Sequence, residues 1–85
     1  MIGNFGCIGL CKALIANEEL EELYLYNNEI DDDSMEKMAE MLTNKKRLRI
    51  LGLECNKIRS RADLILAQIK VLPHFERLYL NQNTL

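Results

Sequence analysis

Tryptophan is absent from this sequence, proline and histidine occur once each, and cysteine three times. Each scarcity excludes something. Three thiols are an odd number without the dense spacing of a disulfide framework, so the reading is reduced cysteines in an intracellular, cytoplasmic setting. His74 stands alone beside Pro73 with no serine or thiol at a matching spacing, which argues against nucleophilic catalysis. No stretch approaches the roughly 18 uncharged apolar residues of a membrane span. The mostly apolar segment Ile8 to Ala16 is not expected to be an export signal, since it lacks a basic leader and carries Lys12 in its middle. Neither sign of charge is in excess enough to matter: eleven Lys and Arg against thirteen Asp and Glu leave a formal charge of -2, with no drive toward nucleic acid or anionic lipid.

What is present is a globular composition, 48% hydrophobic and 28% charged. That composition argues against disorder. Eighty-five residues make one small domain, which buries about 60% of the surface its unfolded chain exposes.

The strongest signal is internal. Leu20-Glu21-Glu22-Leu23-Tyr24-Leu25-Tyr26-Asn27-Asn28-Glu29-Ile30 returns as Leu48-Arg49-Ile50-Leu51-Gly52-Leu53-Glu54-Cys55-Asn56-Lys57-Ile58. It returns again as Phe75-Glu76-Arg77-Leu78-Tyr79-Leu80-Asn81-Gln82-Asn83-Thr84-Leu85. All three follow L-x-x-L-x-L-x-x-N-x-L, with Phe75 for the first Leu and Ile or Leu at the last position. From Leu23 to Leu51 is 28 residues, and from Leu51 to Leu78 is 27. A fixed pattern at a fixed period marks a repeat array. Ile2 lies 28 before Ile30, so the numbering divides into a partial unit 1-19 and units starting at about 20, 48 and 75, the last incomplete.

Helical patterns separate the signatures. Met35, Met38, Met41 and Leu42 fall on one face of a 3.6-residue period, and Asp31, Asp32, Asp33 and Ser34 supply a helix start, predicting a helix over about 34 to 43. Phe5 to Ala16 places Ile8, Cys11, Leu14 and Ile15 together; Ser60 to Leu72 does the same with Leu64, Ala67, Ile69 and Leu72. Pro73 is expected to stop the third helix, because it drives the preceding residue out of helical geometry.

These signatures, at this period and with a helix in each unit, resemble the ribonuclease-inhibitor-like subfamily of leucine-rich repeats. The resemblance covers the chain from Ile2 to Leu85. It implies an α/β fold: a right-handed β/α solenoid, a horseshoe segment with about three short parallel strands on the concave side and helices on the convex side. It also implies protein binding through the concave face, as in innate-immune receptors, GTPase-activating proteins, actin-capping proteins and the inhibitor itself. A regulatory or purely structural segment of a larger protein of this kind is the alternative, because fold does not fix function. Without polar end units the isolated chain is expected to self-associate through its open ends.

Strand periodicity sends Leu23, Leu25, Leu51, Leu53, Leu78 and Leu80 to the core. The opposite face then carries Glu22, Tyr24, Tyr26, Glu54, Arg77, Tyr79 and Asn81, with Arg49 beside them. Tyr24 and Tyr79 should stand roughly 10 Å apart across Gly52 and wall a shallow notch. Tyrosine suits a binding hot spot, and it also simply suits strands. Glu21, Arg49 and Glu76 are expected to form a ladder of alternating charge, either a self-neutralising surface or a recognition element.

Other residues carry no site. Asn28, Asn56 and Asn83 sit just after each signature strand, where their amides are expected to satisfy turning backbone. Cys7 and Cys11 share a helix side, but Cys55 and His74 are not expected to converge on them to complete a zinc site. Asp31-Asp32-Asp33 lacks the alternating ligands and glycine of a calcium loop. Gly3, Gly6 and Gly9 follow no strand and precede no Lys-Ser or Lys-Thr pair, so no phosphate loop is read there. The sequence therefore implies no metal, no cofactor and no enzyme.

Overall fold

The computed structural model describes residues 1–84. Its elements alternate: α1 (Gly3–Leu14), β1 (Glu22–Tyr24), a 3-10 turn (Asp32–Ser34) running into α2 (Met35–Leu42), β2 (Ile50–Gly52), α3 (Ala62–Ile69) and β3 (Arg77–Tyr79). The fold class is α/β. Parallel neighbours need a long crossover, which the intervening helices supply, and the sheet is parallel in the order β1-β2-β3. Its register aligns Leu23 with Leu51 and Leu78, and Tyr24 with Gly52 and Tyr79. The 28- and 27-residue offsets of the sequence are thus the offsets of strand pairing.

Packing follows chain order in both layers: α1 against α2 and α2 against α3, β1 against β2 and β2 against β3. Between the layers lies one core of Cys7, Cys11, Leu25, Ile30, Met35, Met38, Met41, Leu42, Leu48, Leu51, Leu53, Ile58, Ala62 and Ile65. The middle of the chain is most deeply buried. Leu51 and Leu53 are inaccessible, whereas Leu23, Leu78 and Leu80 on the outer strands are only partly covered.

The helices match the apolar periodicity unevenly. All four residues expected of α2 are buried. In α1 the buried pair is Cys7 and Cys11, with Leu14 and Ile15 half-buried beside them. In α3 the buried residues are Ala62 and Ile65; Ala67, expected inward, is exposed. The third helix is also shorter than the pattern Ser60 to Leu72. Its entry is shaped by Asp32, whose carboxylate accepts from the N–H groups of Arg59, Ser60 and Arg61 at 2.9, 3.1 and 3.3 Å. Its exit tightens at Ile69–Leu72, where Leu72 donates to the Ile69 carbonyl at 3.0 Å. Pro73 therefore follows a helix already ended four residues earlier, and does not end it.

The acidic run divides its work. Asp31 caps its own turn, accepting from the Asp33 N–H at 2.9 Å, while Asp32 reaches the Arg59 N–H, 27 residues further on. Asn4, 28 residues before Asp32, makes the equivalent reach: it accepts from the Asp31 N–H at 3.1 Å and from the Ser34 hydroxyl, and donates to Asp31 at 2.6 Å.

The asparagines form the expected ladder. Buried Asn56 accepts from the N–H groups of Asn28 (2.9 Å) and Ile30 (3.0 Å) and donates to the carbonyls of Leu25 (2.9 Å) and Leu53 (3.0 Å). Asn83 repeats the arrangement with Ile58, Leu53 and Leu80, and Asn28 with Ile2 and Tyr26. The residue before each of them, Asn27, Cys55 and Gln82, has φ of 57°, 59° and 59°. Three side-chain-bearing residues are thus held in a left-handed conformation at equivalent points, where each ladder asparagine fixes the turn.

Candidate functional site

Side chains of a strand alternate, so burying Leu23, Leu51 and Leu78 presents Glu22, Tyr24, Ile50, Gly52, Arg77 and Tyr79 on the other side of the sheet. Tyr24 and Tyr26 are 49% and 59% exposed, so both rings stand largely in solvent. Tyr79 is half-buried, while Glu22, Arg77 and Asn81 are exposed. The sheet register brings Tyr24 and Tyr79 to the same level on either side of Gly52.

The space between them is not an empty notch. A Cβ on Gly52 would lie 3.0 Å from Glu54 Oε1 and 3.1 Å from Tyr24 Cδ1. Glu54 folds back over β2 and the Tyr24 ring closes on it, so that Gly52 is buried beneath them. The Oε1 atom of Glu54 is itself buried and has no hydrogen-bond partner.

Both rings are tethered along their own strands. Tyr24 donates its hydroxyl hydrogen to Glu22 Oε1 at 2.8 Å, and that carboxylate pushes the phenol pKa up. Arg77 Nη1 donates to the Tyr79 hydroxyl at 3.4 Å.

The charge ladder forms with one change of partner. Arg49 Nε lies 3.0 Å from Glu76 Oε2, and Arg49 Nη1 lies 3.2 Å from Glu22 Oε2. Glu22 thus takes the place expected of Glu21: its side chain belongs to the exposed face, as that of the next strand residue, Leu23, does to the core. Arg49 holds the Glu76 carboxyl below the usual carboxylate range. All three groups are substantially exposed, so solvent and salt screen the ladder.

Of the residues singled out by sequence, Glu22, Tyr24, Arg49, Glu54, Arg77 and Tyr79 share this face through the contacts above. Tyr26 and Asn81 lie just beyond the ends of β1 and β3, where the Tyr26 carbonyl accepts from Asn28 Nδ2 and the Asn81 carbonyl from the Cys55 N–H. Ile50, half-buried at the centre, and Gly52 belong to the face as well. Strand period two places both there, with Gly52 between the two tyrosines as expected from sequence. Glu54 is the larger surprise, because a carboxylate folded back over its own strand has no sequence signature.

Elsewhere, Cys55 donates its thiol to Gln82 Oε1 at 3.0 Å. All three cysteines are free, and the hydrogen bond between Cys7 and Cys11, with burial, holds the Cys11 thiol far above its ordinary pKa. Among the described residues no group of three or more His, Cys, Asp or Glu side chains could hold a metal ion, and no helix is long and apolar enough to cross a membrane. A shallow depression beside Asp31, Lys57, Arg59 and Thr84 carries both signs of charge, and Lys57 there is 3.4 Å from Glu29.

Comparison of the chain with protein-family models, with curated proteins and with solved structures gives no match.

Proposed function

We propose that this chain is a short right-handed solenoid of leucine-rich repeats that binds another protein through its exposed strand face. The observation that carries the binding reading is the pair of phenol rings, Tyr24 and Tyr79, level with each other across Gly52 and accompanied by exposed Tyr26. A tyrosine ring offers large, rigid contact area with a polar tip, and exposing several of them on one flat face leaves apolar surface for a partner to cover. The repeat reading is supported by the coincidence of sequence period with strand register, and by side-chain hydrogen bonds that connect equivalent positions of successive units. In this reading the chain acts by binding alone, and the Glu22–Arg49–Glu76 ladder orients the partner more than it tightens the complex.

The test is affinity capture from a native lysate with the wild-type chain beside the Tyr24→Ala/Tyr79→Ala variant, both checked for folding by circular dichroism. A protein retained by the wild type and lost from the variant is the expected result. Equal retention by both would overturn the assignment of the face.

A further inference from the structure

We propose that the exposed strand face receives a basic side chain, a lysine ammonium or arginine guanidinium of the protein partner, between Tyr24 and Tyr79 and onto the carboxylate of Glu54. This rests on the partner-binding reading above and names the chemistry of its central contact.

The first observation is the orphaned oxygen. Glu54 Oε1 is buried without a hydrogen-bond partner. Buried polar atoms in folded proteins are nearly always paired, and a carboxylate oxygen left without a donor is costly. The cations of this face are engaged elsewhere: Arg49 lies between Glu22 and Glu76, and Arg77 donates to the Tyr79 hydroxyl. Nothing on the sheet face supplies the donor that Glu54 lacks, so an incoming one is the natural complement.

The second observation is the glycine. Tyr24, Gly52 and Tyr79 occupy one level of the sheet, and only the middle strand has no side chain there. The Glu54 carboxylate and the edge of the Tyr24 ring approach into the space a Cβ would need. The carboxylate therefore lies over the middle strand beside the Tyr24 ring, at the level where the flanking strands carry Tyr24 and Tyr79 two strand spacings, or roughly 10 Å, apart. Ring faces attract a cation through their quadrupole, and a carboxylate adds a charge-assisted hydrogen bond.

The third is the sign of the surroundings. Three carboxylates of this face, Glu22, Glu54 and Glu76, outnumber its two guanidiniums, and Arg49 is shared by Glu22 and Glu76. An acidic side chain entering between the rings would meet Glu54 at close range, whereas a basic one would be drawn there. Entry requires the Tyr24 ring to swing off Gly52, a side-chain rotation within reach of an exposed residue.

The experiment is selection of a display library of random linear peptides on three immobilised proteins: wild type, Glu54→Gln and Tyr24→Ala/Tyr79→Ala. Peptides selected on the wild type are expected to be enriched in Lys or Arg at one position and to bind Glu54→Gln about tenfold or more weakly. A wild-type pool without basic enrichment, or one that binds Glu54→Gln equally well, would overturn the proposal. Failures remain separable: a pool that needs the two tyrosines but carries no basic residue removes the cation and leaves the face, while one indifferent to both changes removes both. Thermal melting without peptide gives a second readout. Glu54→Gln is expected to melt at a higher temperature than wild type at neutral pH, since it removes an unpaired anionic oxygen; a lower melting temperature would contradict the premise that this oxygen lacks a partner.

Discussion

At the scale of single residues, Asn56 is the best-supported polar group in the molecule. One amide serves two N–H groups and three carbonyls, those of Leu25, Leu53 and Glu54. Asn56→Ala would leave those backbone groups buried and unpaired, and a loss of at least about 3 kcal/mol is expected in urea denaturation. Asn28→Ala, where the amide is more exposed, should cost about 1 kcal/mol. The signature consensus already marked these asparagines. It did not mark the left-handed backbone one residue before each, because Asn27, Cys55 and Gln82 share no chemistry that favours positive φ. Cys55→Asn should stabilise the chain by about 0.5–1 kcal/mol by easing that conformation. Lys45 was equally illegible: a charged residue in a polar run, it is fully buried, with Nζ 2.7 Å from Asn44 Oδ1 and 3.4 Å from the Ile15 carbonyl at the end of α1. Burial lowers its pKa, so between the folded and unfolded values the unfolded chain binds more protons and stability rises as pH rises. Lys45→Met should remove that alkaline rise and leave stability at neutral pH unchanged or raised by about 1 kcal/mol, because Asn44 Nδ2 still serves the Ile15 carbonyl at 2.9 Å.

At the scale of elements, helix position was readable from apolar spacing, and helix ends were not. The buried residues of α2 match its period because the helix lies between two neighbours that fix its inward face. Helix α3 has a helical neighbour on one side only, and so its apolar residues divide between buried Ile65 and exposed Leu66 and Ala67. Its start depends on Asp32, 30 residues before Ala62, a contact that local pattern cannot reveal. That carboxylate is held below its usual range chiefly by the Arg59 N–H, then by those of Ser60 and Arg61. A depressed carboxylate pKa contributes stability above its unfolded value, near pH 4, that is lost as pH falls through the folded one. The wild-type melting temperature should therefore fall in that acid window, and Asp32→Asn should flatten this part of the profile while lowering the plateau at neutral pH. An unchanged acid limb in Asp32→Asn would show that the carboxylate does not hold the entry to α3.

At the scale of the whole molecule, the three strands leave both outer edges of the sheet open. Exposed Phe5 and Val71, 95% and 71% accessible, lie outside the core in the first helix and after the third. Open parallel edges and uncovered apolar residues favour association, and the isolated 85-residue chain is expected to sediment as larger species with rising concentration; a concentration-independent monomer would contradict this. The exposed strand face was legible as a set of outward positions because period two requires it. The side chains' arrangement within that face was not, since the fold-back of Glu54 and the choice of Glu22 over Glu21 depend on contacts between strands 27 or 28 residues apart in sequence.

The most direct test of the account is to footprint the chain against a partner that it captures, by following backbone amide signals of the isotopically labelled protein during titration. The signals that shift are expected to belong to residues 22–26, 50–54 and 77–81, on β1, β2, β3 and the positions just beyond them. Shifts confined to α1, α2 and α3, with the strand signals unmoved, would place the partner on the helical layer and contradict the proposed function.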